Sequence, residues 1–303
     1  MIMGIRCLNK FINKNCMKSI SKKHFKNLYG KKIAVDTNIY MYKFIENNEL
    51  IENFYFMIAL FQYYNIKPIF IFDGKIDKEK IETINRRKEQ KFIAEEKYNK
   101  LLLEYNPNCE HMIELKKQFT RVPRNMFSEV KTLITLMGET YIDAPCEADE
   151  LCSWLVISNQ VYGCLSEDTD MFVYGCNNVY KNIDLDNQTL LKYDLISILR
   201  QMNISKNNFI QLCVISDNDY NNNNKGFNYY YHLYRKYKKY YNYGNFYDWL
   251  ILQSYNIDYD NLIKLSDKFN MSKVFDIDID IKNKNINKSL LKEFLKNYNF
   301  IFL

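Results

Sequence analysis

Short apolar stretches alternate with longer amphipathic stretches along the chain as far as residue 220. Three short stretches that each run into acidic residues predict buried strands: 31–35 before Asp36, 68–72 before Asp73, and 161–165 before the acidic stretch 167–170. Helical periodicity is found over three longer stretches, 126–137, 147–158 and 207–215. This alternation is typical of a mostly parallel α/β sheet with helices on both faces.

Carboxylates gather at the ends of these predicted elements. Four of them follow strand ends: Asp36, Asp73, Asp168 and Asp170. Three others adjoin helices: Glu147 and Asp149 open the helix after 143–146, and Asp219 follows the helix over 207–215. Each acid alone would more often be a helix cap or a turn residue. Because ligands of parallel sheets bind outside the carboxyl ends of the strands, we expect the seven acids to converge, and their mutual repulsion then implies bound divalent metal.

The ligand atoms indicate which metal is expected. All seven candidates are carboxylates, with no histidine nearby and no suitable cysteine, so the set favours Mg²⁺ or Mn²⁺ over zinc. Two such ions about 3.5–4 Å apart are the usual device for hydrolysing a phosphodiester. The sequence therefore predicts two Mg²⁺ ions, with Mn²⁺ as a substitute.

Charge is distributed unevenly around a formal net charge of +6. No acid precedes Asp36, whereas many basic residues do, among them Arg6, Lys10, Lys14, Lys18, Lys22, Lys23 and Lys26. Such a segment is typical of a protein that binds nucleic acid or an anionic membrane surface, or of a mitochondrial transit peptide. The apolar stretch 54–66 is too short to span a bilayer, and eight cysteines without a CxxC pair indicate reduced thiols. We expect an intracellular protein that is neither secreted nor in a membrane.

The motifs taken together resemble one family. "MGI" at 3–5, "GKKIAVDTNIYMYKF", "FIFDG", "LMGETYIDAPCEADE", "LSEDTDMFVYG" and "NNFIQLCVISDNDY" are similar, in order, to the conserved blocks of the flap endonuclease/XPG superfamily of structure-specific 5′ nucleases. The resemblance implies the PIN-like fold of these nucleases. It implies a catalytic core over 3–220, with a helical gateway or cap at about 75–130, and a helical C-terminal part over 221–303.

The resemblance also implies a role for each carboxylate. Asp36, Asp73, Glu147 and Asp149 would bind one metal directly or through water, and Asp168, Asp170 and Asp219 would hold the second. Asp149 stands where relatives usually have glutamate, which favours a water-mediated contact. Glu167 matches an acid that is not a ligand, so we expect it to have a structural role.

Several residues match positions that contact DNA in the family. On composition alone, a charged helix over 75–97 is more typical of a solvated face. The resemblance reverses this interpretation for Lys80 and Arg87, which correspond to the basic residues of the gateway helix; seven residues apart, they would share a helix face and reach the scissile phosphate. Tyr42 matches a tyrosine on which a base stacks, the alternative being a core aromatic. Gly4 would lie near the active site, where the backbone passes close to substrate.

The pattern departs from the family after the last ligand. Relatives have a glycine-rich helix–two-turn–helix there, often with K⁺ held by backbone carbonyls. Here 216–237 keeps Gly226 but lacks the earlier glycine and the proline, which leaves a degenerate motif and K⁺ as a doubtful cofactor. The alternative contacts to duplex phosphates are Arg235, Lys236, Lys238 and Lys239. The C-terminal "NYNFIFL" lacks the polar anchor of a sliding-clamp motif, so no clamp binding is expected by that route.

The function implied is metal-dependent hydrolysis of branched (5′-flap), nicked or gapped DNA during replication, repair or recombination. Exonuclease action on nicks or gaps would use the same ligands. A catalytically inactive DNA-binding or scaffold paralogue is the alternative of another class, although no ligand is lost. A PIN-type ribonuclease is a third, which the long basic gateway segment disfavours. We expect DNA as the partner, a monomeric protein, and a location in the nucleus or at a cytoplasmic site of DNA replication.

Overall fold

The structure is a computed structural model of the 303-residue chain. It describes residues 4–46, 49–75, 78–103, 109–241, 244–270, 275 and 286–300.

One seven-stranded sheet forms the centre of the molecule, in the order β1-β7-β6-β5-β2-β3-β4. Its strands are β1 (Ile20–His24), β2 (Lys32–Asp36), β3 (Lys67–Phe72), β4 (Thr140–Asp143), β5 (Gly163–Leu165), β6 (Asn178–Asp184) and β7 (Thr189–Asp194). The five strands from β6 to β4 pair in parallel, and β7 and β1 add an antiparallel edge. The mostly parallel α/β fold expected from the sequence is therefore confirmed.

Helices connect and flank the strands in the described residues. They are α1 (Leu8–Asn15), α2 (Thr37–Ile45), α3 (Leu50–Tyr63), α4 (Ile81–Leu101), α5 (Cys109–Phe119), α6 (Arg124–Leu136), α7 (Ala148–Ile157), α8 (Asp170–Tyr174), α9 (Leu195–Met202), α10 (Lys206–Ile215), α11 (Phe227–Tyr240), α12 (Phe246–Leu252), α13 (Tyr259–Phe269) and α14 (Lys288–Lys296). Short 3₁₀ turns cover Met17–Ser19, Phe25–Leu28 and Lys78–Lys80.

Alternating apolar side chains of the central strands create a core on each face of the sheet. On β3, Ile69 and Ile71 pack in one core, whereas Phe70 and Phe72 pack in the other, as the two-residue period of a strand requires. The first core lies against α1 and α7 to α13. The second lies against α2, α3, α6 and α14. Both faces are thus covered, which explains why the predicted strands are apolar throughout rather than alternating with polar residues.

The segment after residue 220 packs into the first of these cores. Phe227 of α11, Tyr247 of α12 and Leu262 of α13 are buried together with Leu151 and Phe209 of the preceding part. In the described residues, the core is therefore continuous across position 220, where the sequence suggested a boundary.

The start of the gateway helix differs from the sequence expectation. The charged stretch from residue 75 predicted one helix carrying both Lys80 and Arg87, but α4 begins at Ile81 and Lys80 is its N-cap. A 3₁₀ turn over Lys78–Lys80 precedes it. Lys80 therefore directly precedes the helix that carries Arg87, and the two side chains line the same cavity.

Candidate metal centre

Parallel strands bring most of the predicted carboxylates to one edge of the sheet. Asp36 ends the central strand β2, and Asp73 directly follows its neighbour β3. Glu147 and Asp149 belong to the start of α7, which follows β4. Asp168 and Asp170 follow β5, on the other side of β2, and Asp219 arrives from the segment after α10. A cavity of about 400 Å³ is lined by six of these seven, Asp36, Asp73, Glu147, Asp149, Asp168 and Asp219.

The deepest part of this cluster has the geometry of a cation site. Ligand atoms of Asp149, Asp168 and Asp170 all lie within 4.8 Å of one another. Asp170 is only 1% exposed, and its Oδ1 has no hydrogen-bond partner among the described residues. A buried carboxylate oxygen without a partner is costly unless a cation fills the gap, so these residues fit the hard divalent ion that the sequence predicted. The sequence assigned Asp149 to the first metal and Asp168 and Asp170 to the second, but the three carboxylates lie together in this group.

The charges of the cluster are destabilised by burial and by one another. Burial raises the pKa of Asp36 well above its usual range, and the neighbouring Asp73 and Asp149 raise it further. Burial also raises the pKa of Asp149, to about 8. Burial, and then the adjacent Asp168, raise the pKa of Asp170 well above its ordinary value. Bound divalent cations would remove this repulsion and favour the ionised form.

Hydrogen bonds fix the orientation of the carboxylates around the cavity. Ser166 Oγ donates to Asp36 Oδ2 at 2.9 Å. Asp73 is held by two donors, the Ala148 backbone N–H at 2.8 Å and the Asn38 side-chain amide at 2.6 Å. Such bonds orient carboxylates in the way that metal ligands require.

Gly4 is packed against the same cluster. Its φ of 71° lies in the left-handed region, and a Cβ at this position would lie 2.3 Å from Asp168 Oδ1 and 2.5 Å from Asp170 Oδ1. The next residue, Ile5, donates its backbone N–H to Thr169 Oγ1 at 2.8 Å. Only glycine therefore allows the N-terminal segment to approach the carboxylates this closely. The structure places Gly4 beside the carboxylate cluster.

Two basic side chains reach into the cluster from the gateway. Lys80 Nζ lies 2.5 Å from Glu147 Oε2 and 4.0 Å from Asp149 Oδ2, and its side chain is only 10% exposed. Burial alone would lower the pKa of Lys80, but Asp149 and the other nearby acids raise it well above its ordinary value. Arg87 Nη2 lies 2.5 Å from Asp219 Oδ1. Both cations thus lie among the proposed metal ligands.

Tyr42 lines the cavity beside these residues and is only partly buried. Lys91 Nζ lies 5.1 Å from the centre of the Tyr42 ring, and it donates to the Thr120 backbone oxygen at 3.3 Å. An aromatic ring that is accessible from the cavity favours base stacking over the alternative of a core aromatic. The sequence predicted Lys91 only as one residue of a charged helix, and the structure places its ammonium group against this ring.

Known proteins share both the sequence blocks and the fold. Two family models match: the XPG N-terminal domain over residues 3–94 and the XPG I-region over residues 138–219, which together cover more than half of the chain. Flap endonuclease 1 of Salmo salar is 31% identical over 245 residues, 74% of this chain and 63% of that protein. Flap endonuclease 1 of Entamoeba dispar is 31% identical over 244 residues, 74% of this chain and 64% of that protein.

The chain belongs to the flap endonuclease/XPG superfamily.

Solved structures agree on the superfamily fold. The catalytic core of Rad2 superposes with a TM-score of 0.70 at 23% identity, covering 97% of this chain and 94% of that one. Flap endonuclease-1 of Methanococcus jannaschii gives a TM-score of 0.63 at 22% identity, covering 92% and 91%. The chain spans less than two thirds of the length of the curated flap endonucleases named above.

Asparagine side chains on both sides of Asp219 contact the end of α10. Their amide groups donate hydrogen bonds to backbone carbonyls at the end of α10. The Asn218 amide lies 3.1, 3.0 and 2.8 Å from the oxygens of Cys213, Val214 and Ser216. The Asn221 amide lies 3.0 and 3.2 Å from those of Val214 and Ile215. These carbonyls therefore accept hydrogen bonds from side-chain amides, which the sequence did not predict.

The remaining predicted contacts lie apart from the metal centre. Lys236, Lys238 and Lys239 are exposed on α11, and none of them lines the cavity.

Glu167 accepts from the Asn182 backbone N–H at 2.8 Å and from Tyr40 Oη at 3.4 Å, so it connects β6 and α2. Met3 and the last three residues of "NYNFIFL" lie outside the described residues. No helix of the described part is long and apolar enough to cross a bilayer.

Replacing Asp170 by asparagine should stabilise the metal-free protein. The buried like charge is removed, and each kcal/mol of repulsion relieved raises the melting temperature by about 2–4 °C in a protein of this size. The same variant should lose most of the stabilisation that Mg²⁺ gives the wild type, because a ligand is gone. Thermal unfolding with EDTA and with Mg²⁺ measures both effects. Asp186→Asn, in an exposed turn, is the matched control, and an equal Mg²⁺ shift in the Asp170 variant would contradict the site.

Proposed function

We propose that this protein is a metal-dependent, structure-specific 5′ nuclease that hydrolyses phosphodiesters in branched (5′-flap), nicked or gapped DNA. One observation carries the proposal: a single cavity is lined by six carboxylates together with the cations of Lys80 and Arg87. The acids fit two divalent ions, and the cations fit the phosphate on which those ions would act. Mg²⁺, or Mn²⁺ in its place, is the proposed cofactor.

The roles proposed for the side chains follow from their positions. Asp36, Asp73, Glu147 and Asp149 would hold one ion and Asp168, Asp170 and Asp219 the other, with Asp149 next to both sets. When bound, the ions supply Lewis acidity and a water of lowered pKa as the nucleophile. Lys80 and Arg87 exchange their carboxylate partners for non-bridging oxygens of the scissile phosphate and stabilise the charge that develops there. Tyr42 stacks on the terminal base beside that phosphate.

DNA is the proposed substrate because of the relatives and the charge pattern. The catalytic core of Rad2, which shares this fold, has been solved in complex with DNA substrate. The α4–α5 segment carries basic side chains above the cavity, among them Lys88 and Lys91. The alternative of an inactive scaffold paralogue has no support in the site, since all seven carboxylates are present. We propose a monomer with the catalytic core over 3–220, active where DNA is replicated or repaired.

A substrate panel tests the proposal. The protein is incubated with Mg²⁺ and end-labelled 5′-flap, nicked, gapped and single-stranded DNAs, and the products are mapped at nucleotide resolution. We expect cleavage near the junction of the flap substrate, with 5′-phosphate products. Cleavage confined to nicks and gaps would indicate an exonuclease. DNA binding without cleavage of any substrate, in Mg²⁺ or Mn²⁺, would establish the inactive paralogue instead.

Duplex binding should not depend on K⁺. The segment after α10 lacks the glycine and the proline expected of a K⁺-holding turn, so we assign contacts to the duplex to exposed cations such as Lys238 and Lys239, and screening by salt does not distinguish K⁺ from Na⁺. Affinity for a flap substrate in KCl and in NaCl of equal ionic strength should agree within about twofold. Lys238→Glu and Lys239→Glu should weaken binding to every duplex-bearing substrate alike. A clear preference for K⁺ would show that the turn binds the ion after all.

A further inference from the structure

A lysine from the C-terminal helices contacts the same aromatic ring as Lys80 of the candidate site. Lys268 is in the last turn of α13, a helix outside both segments that match the family models. Its Nζ lies 4.2 Å from the centre of the Tyr220 ring, and Lys80 Nζ lies 4.8 Å from the same centre. One aromatic ring, next in sequence to the proposed ligand Asp219, therefore contacts both ammonium groups.

A second connection runs from α13 to the residue before Lys80. Lys268 Nζ lies 3.3 Å from Glu79 Oε2, and Lys264, one helical turn earlier, lies 2.6 Å from Glu79 Oε1. Glu79 belongs to the 3₁₀ turn that leads into α4. The helix α13 thus holds both the backbone next to Lys80 and the ring beneath its ammonium group.

The burial of the two α13 lysines separates their contributions. The side chain of Lys268 is 18% exposed, whereas that of Lys264 is 70% exposed. Cation–π contacts and ion pairs gain strength when they are desolvated, and exposed ion pairs contribute little. Lys268 is therefore the residue that orders this contact.

Tyr220 itself is fixed from several sides. Its backbone N–H donates to Asn218 Oδ1 at 2.8 Å, and its ring lies edge-on to Phe269 of α13, with the ring centres 5.8 Å apart. Thr83 Oγ1, in the first turn of α4, donates to the Asp219 backbone oxygen at 2.7 Å. The start of α4, the last metal ligand and α13 therefore form one packed unit.

We infer that Lys268 is a positioning residue for Lys80: through Tyr220 and Glu79, the helix α13 sets the place of the Lys80 ammonium group in the active site. The inference rests on the proposed nuclease function and assigns to the C-terminal part a role in the chemical step. Loss of the Lys268 charge removes one of the two ammonium groups on the Tyr220 ring and the more buried of the two lysines on Glu79, and the turn before α4 is then less ordered.

Three variants test this role. Lys268→Met keeps the aliphatic stem without the charge, Lys268→Arg restores a cation, and Lys264→Met is the matched control on the same helix and the same acid. We expect Lys268→Met to lower the single-turnover cleavage rate at saturating enzyme about tenfold with little change in DNA affinity. Lys268→Arg should recover most of the rate, and Lys264→Met should stay near the wild type.

A readout without metal or DNA accompanies the kinetics. Backbone amides over 78–88 should exchange with deuterium faster in metal-free Lys268→Met than in the wild type or in Lys264→Met. If Lys268→Met does not fold, Tyr220→Leu makes the same test by removing the ring, with the same expected loss of rate.

The outcomes separate this inference from the proposed function. A wild type that cuts no substrate overturns the nuclease function, while the exchange measurement still reports on the contact. A wild type that cuts DNA, with Lys268→Met unchanged in rate and exchange, overturns the positioning role. The positioning role is also overturned if Lys268→Met loses only affinity, which would make Lys268 a DNA contact, or if Lys264→Met has an equal effect.

Discussion

Replacing Asp168 by alanine is expected to lower the cleavage rate of a flap substrate by about three orders of magnitude. Asp168 belongs to the close group with Asp149 and Asp170, so the variant removes a central ligand of the proposed metal pair. DNA affinity should change little, because the cations around the cavity remain. The rate is measured by single-turnover cleavage at saturating protein and Mg²⁺, and affinity by fluorescence anisotropy with the labelled substrate.

Two comparisons make this result specific. Asp186→Ala removes an acid from the exposed turn between β6 and β7 and should leave the rate unchanged. Adding EDTA to the wild type should reduce cleavage to the level of the Asp168 variant, and added Mg²⁺ should restore it. Full activity of the wild type in chelator would rule out the two-metal mechanism.

Replacing Lys80 or Arg87 by alanine is expected to lower the single-turnover rate by about 10²–10³-fold. Both cations lie 2.5 Å from proposed metal ligands, so they are already placed beside the point where phosphate charge develops. An interaction that strengthens in the transition state affects the rate more than binding. Affinity should therefore fall by less than about fivefold.

The control for these variants comes from the same helix. Lys100→Ala removes an exposed cation from the last turn of α4 and should change neither rate nor affinity by more than about twofold. If Lys80→Ala and Arg87→Ala lose affinity in proportion to rate, the two residues are ordinary phosphate contacts. The catalytic role proposed for them would then be wrong.

Much of the fold was readable from the sequence because its strands are short, apolar and followed by acids. The strands before Asp36 and Asp73 have a neighbouring strand on each side, are buried on both faces, and agree with their predicted limits to within one residue. The strands β1, β4, β6 and β7 were not predicted, because each mixes polar or charged residues with apolar ones. Their pairing partners, distant in sequence, determine their conformation.

The convergence of the seven carboxylates also followed from sequence, since parallel strands place their carboxyl ends on one edge. Their assignment to two separate metals did not foresee that Asp149 would lie within 4.8 Å of both Asp168 and Asp170. That distance depends on how α7 packs against the sheet. Spacing along a chain fixes which element carries a side chain, and packing fixes how far apart the elements lie.

The sequence by itself determined the fold class, the chemistry of the ligands and the family, because these depend on the order and type of residues. Only the tertiary structure decided that Lys80 lies on a turn before α4 and that asparagine amides donate to carbonyls at the end of α10. It also decided that Lys268 of α13 and Lys80 contact the same ring, that of Tyr220. Each of these findings depends on the direction of side chains and on the packing of helices. Side-chain direction and helix packing produce no periodic pattern in the sequence, so only the folded chain shows the distances.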